Sequence, residues 1–90
     1  MRNKEVAYAF INREAASGSN LMSTGDRLYS YNTCIAQYDD DNTLYINYTK
    51  YSSTTSRHQG YLMRQLRGVP HKEVFNVPQG VHNIKVYYED

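Results

Sequence analysis

The sequence predicts an α+β domain: an N-terminal helix, an antiparallel sheet of four or five strands, and a second helix over about residues 56–67 packed on the sheet. Three observations predict it. Near the start, Val6, Ala7, Phe10 and Ile11 recur at the spacing of one helix face. In the middle, TLYINYTKY at 43–51 alternates as a half-buried strand does. Then a run of hydroxyl residues, SSTTS at 52–56, opens a second helical pattern that stops at Gly68 and Pro70.

Ninety residues make a single domain, residues 1–90, with a modest core. A chain 40% hydrophobic and 21% charged folds rather than staying disordered. Tyrosine is abundant, ten residues against two Phe and no Trp, and it suits both strands and binding surfaces.

The first helix is expected across NKEVAYAFINREAASG. Asn3 is its cap, Glu5 sits in its first turn and Gly18 stops it. NLMST and RLYSY then pair as a hairpin about Gly25-Asp26, and NTCIAQY continues as strand. Leu28 and Ile35 fall on opposite parities of that stretch, and a bulge near Asn32 reconciles them. DDDN at 39–42 is a turn. It lacks the glycine and distal glutamate of a calcium loop. In the next strand Leu44, Ile46 and Tyr48 share one face, and Tyr45, Asn47 and Thr49 the other. After the second helix, Pro70 and Pro78 bracket an extended piece anchored by Val74, Phe75 and Val77, and NIKVYY is a final strand.

The second helix carries the functional signal. Ser56 and Gln59 have the spacing of a capping box, with Thr54 and Thr55 as further caps, which accounts for much of the hydroxyl cluster. At about 100° per residue, Gln59, Leu62, Met63 and Leu66 face the sheet, while Arg57, Tyr61, Arg64 and Arg67 face outward. His58 lies at the border. From Asn42 to Lys72 there is no Asp or Glu, yet Lys50, Arg57, Arg64, Arg67 and Lys72 all fall there. The overall charge of +1 hides this basic surface, because the acids gather elsewhere, at 39–41 and 89–90. Arginines around a ring suit phosphates or carboxylates. The binding residues predicted are therefore Arg57, Tyr61, Arg64, Arg67, Lys50 and His58. The sheet face bearing Tyr45 and Asn47 is the alternative surface.

Catalysis is not expected. His58 has no acid in its own segment to orient it, and the hydroxyls before it belong to the cap. No phosphate loop, zinc signature or nucleophile elbow is present, so no cofactor and no metal is expected. Cys34 stands alone, which excludes an internal disulfide and fits a reducing compartment. It reads as a buried packing residue. The first residues have no signal-peptide pattern, and no run approaches the roughly 20 apolar residues of a membrane helix. The expected setting is cytoplasmic.

LYSYNTCIAQ and INYTKYSSTTSRHQGYLMRQL together resemble a family of small proteins from phages and mobile elements. The shared pattern is L-Y-S-Y-x-T-x-I-A, here Leu28 to Ala36, followed by N-x-T-x-Y-S-x-T-T-S-K/R-H, here Asn47 to His58. It covers a third to a half of the chain. Arg57 stands where the pattern often has Lys, which keeps the charge. The resemblance implies a phage-type origin and the host cytoplasm, and no assigned activity. The expected function is a small non-enzymatic binding protein that engages nucleic acid or a host nucleoprotein and antagonises host defence, in the manner of an anti-CRISPR protein. Two alternatives stand beside it: a protein–protein inhibitor that sets the same basic helix against an acidic host surface, and a small hydrolase centred on His58.

Overall fold

A computed structural model describes residues 1–89; Asp90, counted above among the acids, lies outside the described residues. The fold is α+β: helices α1 (Asn3–Ile11) and α2 (Ser53–Arg64) lie with a six-stranded sheet. The strands are β1 (Ala15–Ser17), β2 (Leu21–Thr24), β3 (Arg27–Ser30), β4 (Thr33–Tyr38), β5 (Leu44–Asn47) and β6 (Lys72–Val74). Their order in the sheet is their order in the chain. Pairing is antiparallel through β5, and β6 then joins β5 in parallel. A parallel neighbour needs a crossover, and α2 supplies it. The sheet is therefore mixed and longer than the four or five antiparallel strands expected.

The first helix is shorter than its sequence pattern. Arg2 is the capping position, not Asn3, and its backbone N–H donates to Glu5 Oε1 at 3.0 Å. After Asn12 the chain turns at Arg13, whose φ of 63° is left-handed, and Ala15–Ser17 becomes an edge strand instead of a further helical turn. Pairing with β2 overrides the alanines' helix preference. The Gly25 turn forms as expected, with φ at 95°. Tyr31 and Asn32 form a second turn, so the stretch read as continuous strand is a hairpin of β3 and β4. The bulge lies three residues beyond Asn32. Ile35 is the extra residue between the pairs Leu28–Ala36 and Tyr29–Cys34, which brings Leu28 and Ile35 into one cluster.

The sheet is covered on both faces. On one, Val6 and Phe10 of α1 and Leu62 and Leu66 of the α2 region pack on Leu21, Leu28, Ile35, Leu44 and Ile46. On the other, Val77, Ile84 and the half-buried Tyr88 cover Cys34, Tyr45 and Val74. The final strand expected at NIKVYY is a short 3-10 helix, Ile84–Tyr87. Gln37 captures this segment: its Nε2 donates to Asn83 Oδ1 at 3.1 Å, and its Oε1 accepts from the Ile84 N–H at 2.6 Å. Side-chain bonding replaces the ladder that alternation suggested. This strap corrects two further expectations. Tyr45 and Asn47 are buried, so the sheet face they mark offers no surface. Phe75 is 52% exposed and anchors nothing, whereas Val74 and Val77 are buried.

Candidate functional site

Helix α2 begins three residues before the expected start. Ser52 is the cap, and its Oγ accepts from the Thr55 N–H at 3.2 Å. Ser56 sits inside the first turns. Gln59 does no capping: its Nε2 donates to the carbonyls of Asn47, 2.8 Å, and Thr49, 3.0 Å, and so ties the helix to the end of β5.

The inner side of α2 carries a chain of polar contacts. Ser52 Oγ lies 3.2 Å from Thr55 Oγ1, and Thr55 Oγ1 lies 3.0 Å from Ser30 Oγ. Ser30 Oγ is 2.6 Å from His58 Nδ1, and His58 Nε2 is 3.3 Å from the Asn3 amide. Asn3 Oδ1 is buried without a partner. Turning the amide over gives that oxygen the His58 Nε2–H, and His58 Nδ1 then accepts from the Ser30 hydroxyl. One histidine thus joins β3, α1 and α2. Both segments of the sequence pattern, 28–36 and 47–58, meet in this cluster.

The Ser30–His58 spacing is that of a nucleophile and its base. Its surroundings differ from those of an active site. Ser30 is fully buried and His58 is 2% exposed, which leaves no room for a substrate carbonyl. Burial, and secondarily the Arg57 charge, lower the His58 pKa below its ordinary value, so the ring is neutral at pH 7. The rings of Tyr31 and Tyr61 flank it, at 6.2 and 6.3 Å between centroids. The arrangement orders three elements. His58 belongs to the core and not, as expected, to the binding surface.

The outer side is different. Arg57 and Arg64 are exposed, and Tyr61 between them is half-buried. Arg67 is exposed as well, in the turn beyond the helix rather than on it, and Met63, expected toward the sheet, is 43% exposed. Lys50 is exposed in the connection before α2. Among the described residues none of these cations has a carboxylate within 4.0 Å; the ion pairs present join Arg13 to Asp26, Lys85 to Asp39 and His71 to Glu73.

Two hollows border this face. One, of about 250 Å³, sets Tyr61 beside Arg2 and Lys4 at the start of α1. The other, of about 550 Å³, is lined by Arg64, Arg67, Met63, Leu66, Tyr48 and His71. Sequence reasoning missed Arg2 and Lys4, and it placed His71 in the basic segment without giving it to the site. The helix–helix and strand–helix contacts that place them leave no local signal.

A third, strongly polar hollow at the far end of β4 is largely self-satisfied. Arg13 bonds Asp26 at 2.9 Å as well as Asn42, and Lys85 lies 3.1 Å from Asp39. A hydrogen bond with the Asp41 carboxyl, ahead of that with Lys85, holds the Asp39 pKa down at about 2, outweighing the opposing effect of burial. Cys34 is fully buried, and burial pushes its thiol up to about 12, far from a nucleophile's value. No helix is long and apolar enough to cross a membrane, and no group of His, Cys, Asp and Glu able to hold a metal occurs among the described residues.

A model of a family described only as of unknown function, DUF8033, matches residues 4–76. No curated protein and no solved structure gives a significant match.

Proposed function

The chain belongs to the DUF8033 family, and we propose that it is a non-enzymatic binding protein that engages nucleic acid through the outward face of α2. The observation that carries this is the set of unpaired cations. Arg57, Arg64 and Arg67 are exposed on the side of α2 and its following turn that carries Tyr61 and Met63, and among the described residues none has a carboxylate within 4.0 Å. Exposed cations without internal partners attract phosphates, whose bound counterions are released on contact. Arg2 and Lys4 extend the same charge beyond Tyr61. The enclosure of Ser30 and His58 supports the non-enzymatic reading over the hydrolase.

The likeness to phage and mobile-element proteins supports a reading in which the ligand is host nucleic acid or a nucleoprotein of the defence machinery, met in the host cytoplasm. Equilibrium binding to random-sequence DNA and RNA, at about 50 and 200 mM salt, tests the proposal. Binding should weaken steeply with salt. In the variant Arg57→Glu/Arg64→Glu it should fall at least about tenfold, with the salt slope reduced by about 2. Salt-insensitive binding, or none, sinks the nucleic-acid reading and leaves an acidic protein surface as the partner.

A further inference from the structure

We infer that the hollow between the C-terminal end of α2 and the β5–β6 edge takes one unstacked nucleotide of a single strand, its phosphate on Arg64 and Arg67 and its base on the exposed ring of Phe75. The inference rests on the nucleic-acid reading of the α2 face and narrows it to single-stranded ligands.

Four features in and beside the hollow fit one nucleotide. Two arginines three positions apart stand at its rim without internal partners. A guanidinium offers a fork of N–H donors that matches two phosphate oxygens. Met63 and Leu66 give the lining an apolar part, as the face of a base or sugar requires. His71 Nε2 and the Tyr48 hydroxyl lie 3.4 Å apart in the same wall, and the Val69 carbonyl, 2.9 Å from His71 Nδ1, fixes the ring as a polar side of the hollow. Beyond Tyr48 stands Phe75, with its ring stacked on the tyrosine at 5.7 Å and 28°.

Phe75 is the diagnostic residue. It is 52% exposed although the buried Val74 and Val77 flank it closely in sequence. A large apolar ring held outward on Tyr48, the residue that in turn lines the hollow with Arg64 and Arg67, is a stacking platform. A duplex keeps its bases stacked inside and cannot use such a ring. A single strand presents every base to it. The path has a natural end: Glu73, whose carboxylate lies 4.0 Å from His71, and Glu89 line the neighbouring hollow with Phe75 and repel phosphate. From Arg57 to Arg64 the helix rises about 10 Å, so the strand crosses the α2 face before it reaches the ring.

The test compares a fluorescein-labelled dodecathymidylate strand with a duplex of equal length, by anisotropy, on wild type, Arg64→Glu/Arg67→Glu, Phe75→Ala and Phe75→Tyr. The single strand should bind at least about tenfold more tightly than the duplex. Phe75→Ala should lose about tenfold while Phe75→Tyr retains binding, because the platform is a ring and not a particular residue. The double Glu variant should lose more. Independently of any variant, a strand carrying 2-aminopurine should lose fluorescence on binding wild type as its base stacks. A duplex that binds as tightly as the strand overturns the inference while leaving the basic face a nucleic-acid site, and so does an unquenched base with Phe75→Ala unchanged. Binding of neither ligand removes that reading together with this one.

Discussion

Helix α2 shows two polar faces, and the contrast between them tells which residues are free to act. On the inner face, Thr55 and His58, with the cap Ser52 beside them, resemble catalytic machinery by residue type, and each hands its polar atoms to a neighbour inside the protein. On the outer face, Arg57 and Arg64 look ordinary, and each keeps its charge for solvent. A polar group already satisfied in the core stabilises and orients. One left unpaired at the surface is available to a ligand. Residue type alone points to the histidine; the hydrogen-bond accounting points to the arginines.

The sharpest way to break this comparison is His58→Ala. If the inner face is structural, the variant leaves the Ser30 hydroxyl buried and unpaired beside a new cavity. It should lose about 2–4 kcal/mol in urea unfolding while its folded fraction still binds as wild type does. Lost binding at unchanged stability would instead make His58 functional.

The cap comes next. Ser52→Ala should cost about 1 kcal/mol, whereas Ser56→Ala, inside the helix, should stay within about 0.5 kcal/mol. The reverse order would restore the start expected at residue 56.

A smaller effect follows pH. His58 has a lower pKa folded than unfolded, so it contributes its full stability above about pH 6.5, the unfolded value, and loses it progressively as pH falls toward the folded value. Unfolding free energy should therefore fall on acidification below about pH 6.5 in wild type and fall less in His58→Gln. The smallest effect belongs to the outer face: Arg57→Glu and Arg64→Glu should each shift stability by less than about 0.5 kcal/mol, as measured by thermal unfolding.

What could be read in advance follows the range of the interaction. The outer arginines were legible because an acid-free run from 42 to 72 is a local pattern. The β5 alternation and the Gly25 turn were legible for the same reason. The start of α2 was misread because five consecutive hydroxyls can each cap, and Gln59, which seemed to choose Ser56, instead bonds the end of β5. The β3–β4 turn carried no glycine or proline at its bend: Tyr31 takes φ of 56° itself, its N–H held by the Asn20 carbonyl at 2.9 Å. Few bulky residues accept that region, so no local pattern announces the bend. The last segment alternates like a strand, yet Gln37, far away in the chain, takes its N–H. The pairing of Ser30 with His58 was invisible for the same reason, since 28 residues separate them.

The order of the strands bears on how the molecule assembles. Strands β1 to β5 each pair with the element just before or after them in the chain, so the meander closes through short loops and can form early. Strand β6 cannot dock until β5 is in place and α2 has crossed over, and the Gln37-held strap needs a finished β4 beneath it. Both depend on long loop closures and should therefore come late. The edge that carries Lys72 to Phe75 is thus the part whose amides should exchange with solvent first, through partial openings that leave the meander intact. A ligand held between α2 and that edge would clamp the last-formed piece of the fold, so occupancy should register as slowed exchange in β6 well before any change in β2 or β3.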